Sequence, residues 1–279
     1  MIIIVAHQYV SCGQIYATCA AGEPMTTISL LTPLDPDRAT WLGELATDVE
    51  ELRTRIAAPV EWIVCADGPG AVAFPSAVSV GMRLPLPGGP AAARTAALAA
   101  ATGDWVLPID ADDRLDLSGA TGFAAELAAP MRADLGWLGA SRTLLDGTPT
   151  THTLSARHMW SPGELAERWT APFPFHPNTI AVRRSLALAC GGWPALPVNE
   201  DLAFALAVSE DAAGMSVEHI VTRYRSWEGQ TVSSPSYVNA KRVAFATIAA
   251  LHSARRAKAG RSPITPPLAA GGAHGRVAR

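Results

Sequence analysis

The chain has 279 residues, room for one large domain or two small ones, and its 49% hydrophobic and 17% charged residues exclude global disorder and allow a sizeable core. The net charge of −3 hides an asymmetry: Lys241 to Arg279 holds eight Lys or Arg and no Asp or Glu, so the chain before it carries −11. Four cysteines (Cys12, Cys19, Cys65, Cys190) show neither metal spacing nor disulfide density, which fits a reduced, cytoplasmic setting, and no apolar run approaches the ~20 residues of a membrane span.

The start, Met1 to His7, lacks a basic region and is too short in apolar residues for a signal peptide. Residues 1–25 read as an extension ahead of the fold, with a first strand as the alternative. Thr27 to Leu31 is a strand closed by Pro33, and Asp37 is placed to cap the helix that follows. In that helix Trp41, Leu45, Val49, Leu52 and Ile56 recur on one face. Val60 to Cys65 is the next strand, Asp67-Gly68-Pro69-Gly70 a loop, and Ala77 to Leu84 a third strand. Gly88-Gly89-Pro90 opens an alanine-rich helix to Ala101, and Trp105 to Ile109 is a strand that runs into Asp110.

The second half is less regular. Strands are expected over Leu135–Leu145, Asn178–Val182 and Met215–Arg225. Helices are expected over Pro162–Trp169 with Ser161 as cap, Ser185–Cys190, Glu200–Val208 and Tyr237–Ala259. The end, 260–279, rich in Pro and Gly, reads as a disordered basic tail. Such a tail suits a membrane surface, a phosphate-bearing acceptor or nucleic acid; a solvated helix face with a loose terminus is the plainer reading.

Strands alternating with helices over the first ~115 residues predict βαβ units and a mainly parallel sheet. Ligands bind beyond the carboxyl ends of such strands, and Asp67 and Asp110-Ala111-Asp112-Asp113 both fall there. On a strand, positions i and i+2 share a side, so Asp110 and Asp112 can act together, with Asp113 beside them. Carboxylates this close repel one another without a cation, and a hard divalent ion, Mn²⁺ or Mg²⁺, answers that. A helix cap alone needs fewer acids, since Asp116 or Ser118 suffices. An EF-hand loop fails for want of a ligand at Arg114.

Pro87 to Leu98, then Gly103-Asp104 before the strand, then Asp110-Ala111-Asp112-Asp113, resembles the core signature of family-2 glycosyltransferases with the GT-A fold, with Thr95 where the family usually has Asn. Trp62 to Gly68 is similar to the family's second strand but keeps only Asp67-Gly68 of its Asp-Asp-Gly-Ser ending. The resemblance spans roughly 26–232, followed by a C-terminal helix over 233–259. It implies a Rossmann-like mixed, mainly parallel sheet flanked by helices. It also implies a nucleotide-sugar donor (a UDP-sugar favoured), Asp67 at the base, Arg94 and Asp110 near the donor, and a metal on Asp112 with Asp113 and Asp110.

Gly191-Gly192-Trp193 followed by Glu200-Asp201 is similar to a later family motif, which implies Asp201 as general base of an inverting transfer and Glu200 as its substitute. Arg223 to Thr231 resembles the closing segment, with Trp227 in place of its His; Arg225 and Gln230 are then implied at the diphosphate. Trp193, His176 and Trp227 are expected on the acceptor side, although each also reads as plain packing or chance. The acceptor is read as a carbohydrate, lipid-linked or secondary-metabolite hydroxyl, without nucleic acid, and with peripheral membrane contact through the basic end. The alanine-rich composition suggests a bacterial source. Two other readings stand beside this one: a nucleotidyltransferase on a similar sheet, disfavoured because Thr32-Pro33-Leu34-Asp35-Pro36 is no Gly-rich basic loop, and a non-catalytic nucleotide-sugar binding protein.

Overall fold

The computed structural model describes residues 3–5, 25–169, 173–227 and 236–264. Cys12, Cys19, Gln230 and the tail beyond residue 264 lie outside the described residues, as does most of the expected extension. The sheet elements are β1 (Ile3–Val5), β2 (Ile28–Leu34), β3 (Val60–Ala66), β4 (Val80–Arg83), β5 (Trp105–Pro108), β6 (Arg114–Leu115), β7 (Trp137–Leu144), β8 (His158–Trp160), β9 (Ile180–Arg183) and β10 (Gly214–Tyr224). The helices are α1 (Leu42–Arg55), α2 (Gly89–Ala100), α3 (Leu117–Ala128), α4 (Glu164–Glu167), α5 (Arg184–Ala189), α6 (Glu200–Asp211) and α7 (Tyr237–Lys258).

All strands join one sheet in the order β1-β4-β3-β2-β5-β9-β7-β10-β6, with β8 also on β10. The block β4-β3-β2-β5 is parallel, β9 is antiparallel to both β5 and β7, and β10 is parallel to β7. This is the mixed, largely parallel sheet the sequence predicts. Two reversals at β9 put the N-terminal end of β9 and the C-terminal ends of β3, β5, β7 and β10 on one rim.

Strand β2 continues through Pro33 to Leu34 instead of stopping at Leu31. Its pairing with β5 ends at Leu31 opposite Pro108, so the missing N–H of Pro33 removes no ladder bond on that side. Asp35, not Asp37, is the first cap: its carboxylate accepts the Asp37 N–H at 3.1 Å, and a 3-10 turn precedes α1. At α4 the N-cap position is Gly163 at φ +86°, where a side chain would be strained, so the expected Ser161 is not the cap.

The core has two faces. Leu45, Val49 and Leu52 of α1 and Phe123 and Leu127 of α3 pack on Leu30, Val64, Leu107 and Leu138. Ala93 and Ala97 of α2 and Phe204 of α6 cover Leu31, Ile63, Val106 and Trp137 on the other face. Each fully buried large aliphatic contributes roughly 1.5–3 kcal/mol, so α1 and α2 are fixed mainly by these stripes. A third cluster, with Trp169, Leu206, Ile248 and Ala249, seats α7 on α6. Gly103-Asp104 locks the strand starts together: the Asp104 carboxylate accepts the Thr27 N–H at 2.8 Å, and a Cβ on Gly103 would lie 2.5 Å from Ser29 Oγ.

Candidate active site

Asp67 follows β3 directly, and its two carboxylate oxygens accept the N–H groups of Gly88 at 2.6 Å and Gly89 at 2.9 Å, at the start of α2. The Gly pair offers its amides to an anion, and that anion is Asp67 itself. Carboxylate oxygens have further lone pairs, so Asp67 can still accept from a ligand.

Arg94, on the second turn of α2, is 4% exposed. One terminal nitrogen donates to Asp110 at 2.6 Å and the other to Glu200 at 2.6 Å. It is therefore a strut between the end of β5 and the start of α6, and its charge form is held by Asp110, Glu200 and Asp201 against burial. Asp110 is completed by Asn178, whose Nδ2 donates at 2.9 Å. Asn178 is fixed in turn: its backbone N–H donates to His176 Nδ1 at 3.2 Å. Burial, together with Arg142, His152 and Arg94, holds the His176 imidazole neutral with its pKa far below the ordinary value. His176 thus supports Asn178, and its ring meets His152 edge-on at 5.2 Å.

The three aspartates do not converge as the sequence suggests. Asp110 turns to Arg94 and Asn178. Asp113, 3% exposed, accepts the Arg225 backbone N–H at 3.0 Å. Asp112 accepts the Trp227 indole N–H at 2.9 Å. Among the described residues no group of three or more His, Cys, Asp or Glu side chains is arranged to hold a metal ion. Asp112 and Asp113 are nonetheless crowded. Burial first, and Asp110 second, push both carboxyls above the ordinary range.

Arg225 does not point its guanidinium at open cleft. Its Nε donates to the Asp112 carbonyl at 2.9 Å and a terminal nitrogen to Glu44 at 2.8 Å, so it braces the acidic loop against α1. Trp227 meets Trp41 edge-on at 5.0 Å, and Arg38 lies 5.0 Å over its ring. Trp193 is 4% exposed and stacks on Phe204 at 4.1 Å, so it is core and offers no face to an acceptor. Its backbone pairs with Thr95, whose hydroxyl accepts the Trp193 N–H at 3.0 Å.

Asp201 opens α6 next to Glu200. Some of its surface stays accessible, but its carboxyl is enclosed by protein on most sides. Burial, then the Glu200 charge, raise its pKa to about 6, against the opposing pull of Arg94 and the Leu202 N–H. Three residues escaped the sequence reading: Asn178, Arg142 and His152. Arg142 Nε, Asn178 Oδ1, Arg94 Nε and His152 Nδ1 are buried without a hydrogen-bond partner, a concentration of orphans uncommon in a finished core. A polar residue at the start of a buried strand, as at Asn178, was the one available signal.

A parallel sheet ending in Asp67 and Asp110, joined through a reversed strand to a half that brings Glu200 and Asp201 to the same rim, is the GT-A architecture. Residues 81–187 match the family model described as Glycosyl transferase family 2. No curated protein matches the sequence. Among solved structures, Staphylococcus aureus TarS 1–349 in complex with UDP-GlcNAc is 17% identical with TM-score 0.58, over 81% of this chain and 66% of that one. The mannosyltransferase PcManGT from Pyrobaculum calidifontis, in complex with GDP-Man and Mn²⁺, is 18% identical with TM-score 0.55, over 86% and 66%. The chain thus spans just under two thirds of the length of these proteins. No described helix is long and apolar enough to cross a membrane.

Proposed function

We propose that this protein is an inverting glycosyltransferase that moves a sugar from a nucleoside-diphosphate sugar, a UDP-sugar by preference, to an acceptor hydroxyl. The observation that carries this reading is the Arg94 strut, which holds Asp110 and Glu200 each at 2.6 Å and so fixes the acidic loop beside Asp201. Asp67 accepts a hydrogen bond from the base. Asp201 takes the proton from the acceptor oxygen as that oxygen attacks the anomeric carbon, while the bond to the diphosphate breaks and the nucleoside diphosphate leaves with its electron pair. A carboxyl raised to about 6 is ionised at neutral pH yet basic enough for that transfer. Glu200 is committed to Arg94, which leaves Asp201 as the base.

A divalent cation, Mn²⁺ or Mg²⁺, fits at Asp112, because a crowded, buried carboxylate gains from a counter-charge. When bound it neutralises charge on the departing diphosphate. Asp112 would hold it together with oxygens from the donor, since Asp110 and Asp113 are turned to other partners. Trp227 cannot ligate; its indole N–H orients Asp112 so that one oxygen faces the site. The solved TarS and PcManGT complexes carry nucleotide sugars, which supports the donor class.

The acceptor is a carbohydrate, lipid-linked or secondary-metabolite hydroxyl. Contact with a membrane surface is less supported than the sequence suggests, because Arg255, Arg256 and Arg261 of the basic segment are paired inside the fold with Asp211, Glu167 and Glu210. A donor panel read by thermal shift with and without Mn²⁺ tests the reading. A cognate donor raises Tm only with metal; Asp112→Asn loses that shift; Asp201→Asn keeps it and stops transfer. An active Asp201→Asn enzyme would sink the general-base assignment. The non-catalytic reading predicts a donor shift with no nucleoside diphosphate released.

A further inference from the structure

Arg142 is a charged group for which the proposed reaction has no task. It lies near the C-terminal end of β7, on the catalytic rim. Its Nε is buried without an acceptor, and the Tyr224 ring lies 4.2 Å from the guanidinium carbon. Arg94 and Arg256, the two most buried arginines, each hold two carboxylates. Among the described residues no carboxylate reaches Arg142 at ion-pair distance; Asp113, Asp110 and Asp201 act on it only through space. A guanidinium half-buried in this way without an anionic partner is unfavourable. A partner that arrives with substrate accounts for it.

The surroundings are rigid and contain a second unfilled group. The Thr150 and Thr153 hydroxyls both donate to the Arg142 carbonyl, at 3.0 and 2.7 Å, and the Arg142 N–H donates to the His152 carbonyl at 3.2 Å. This fold of the chain sets the His152 ring beside Arg142, with its Nδ1 buried and unpartnered. A planar guanidinium suits a phosphate or carboxylate, while the neutral His152 ring beside it adds no competing positive charge.

Position separates this place from the nucleotide. Asp67 follows β3, Asp110 follows β5, and Arg142 is on β7, in the order β3-β2-β5-β9-β7. Four strand spacings put β7 about 19 Å from β3, on the far side of the acidic loop from Asp67. We propose that Arg142 forms a subsite for an oxyanion borne by the sugar side of the reaction, either a carboxylate on the transferred sugar or a phosphate or carboxylate on the acceptor. The identity of the ligand rests on the glycosyl-transfer reading; the anion site does not.

Thermal shift of the whole chain with inorganic phosphate is the first test. Phosphate at ~10-fold its Kd should raise the wild-type Tm by roughly 2–4 °C. Arg142→Gln should abolish the shift, and Arg142→Lys, which keeps charge but loses the fork, should retain part of it, so a poorly folding Gln variant still leaves a test. Saturating UDP with Mn²⁺ should leave the phosphate shift in place. No shift in the wild type, equal shifts in all three proteins, or competition by UDP with Mn²⁺ would each overturn the subsite.

The second test assigns the source. A wild-type preference for UDP-glucuronate over UDP-glucose that Arg142→Gln removes puts the anion on the donor sugar. A preference for glycerol 3-phosphate over glycerol that the same variant removes puts it on the acceptor. In a chain that does transfer sugar, absence of both preferences overturns the proposal. A chain that binds phosphate through Arg142 yet transfers no sugar would refute the proposed function and leave the subsite standing.

Discussion

Arg94 changes meaning between sequence and structure. Its place in the motif implies a donor contact, whereas its burial and its two carboxylate partners make it the tie between the two halves of the site. A buried cation with two partners cannot be removed quietly, because Asp110 and Glu200 are left facing each other and Asp201 loses a compensating charge. Arg94→Met should therefore lower stability by about 3–5 kcal/mol, measured by denaturant unfolding. It should also move the acid limb of the kcat/KM profile upward from its expected place near pH 6, since Arg94 is among the groups holding the Asp201 pKa down. A limb that stays put in the variant would show that Arg94 does not act on the base. Asp67, Asp110, Asp112 and Asp201 were legible because each stands at a strand or helix end inside a short motif. Asn178, Arg142 and His152 were not: Asn178 meets Asp110 only because β9 lies antiparallel beside β5, Arg142 reaches the same rim only because β7 follows β9 in the sheet, and no local spacing records either.

Elements with a clear period, such as α1, β3, α2 and β5, fall close to where the sequence puts them. β6, β8 and the span of α3 went unread for separate reasons. β6 and β8 have two and three residues and owe their form to pairing with β10. α3 carries Gly119 and Gly122, which weaken a helix by propensity. Here they are what lets it approach β10: a Cβ would lie 1.9 Å from the Ile220 carbonyl oxygen at Gly119 and 2.6 Å from the His219 ring at Gly122. The last element has a role the sequence hid within a basic run. Glu210, at the end of α6, accepts Arg256 of α7 and Arg261 at 2.5 Å each. The same α6 opens with Asp201, so α7 braces the helix that carries the base. Arg256→Met should cost about 3 kcal/mol, at the low end for a broken buried pair because Arg261 still faces Glu210. It should lower kcat while sparing the metal-dependent donor shift in Tm. Loss of the donor shift together with kcat would point instead to general disorder of the site.

At the scale of the molecule, buried ionisable groups of opposite behaviour meet on one rim, and this sets how stability follows pH. His152 is held down to about 4 from an ordinary 6.5, mainly by burial and then by Arg142. The folded protein excludes a proton that the unfolded chain binds below pH 6.5. Its contribution is whole above that pH and is lost as pH falls towards 4, by up to about 3 kcal/mol at 1.36 kcal/mol per pH unit. The raised carboxyls of Asp112, Asp113 and Asp201 have the opposite sign. They are protonated in the fold at a pH where the unfolded chain keeps them ionised, so acidification favours the fold through them. The two sets offset each other, and the slope of wild-type stability against pH cannot by itself reveal either. The comparison that separates them is His152→Gln against wild type, by denaturant unfolding from pH 7 to 4.5. The variant should lose less stability on acidification, by an amount approaching that 3 kcal/mol. Parallel curves would mean that His152 is solvated in the fold and that the polar floor beside Arg142 is open to water.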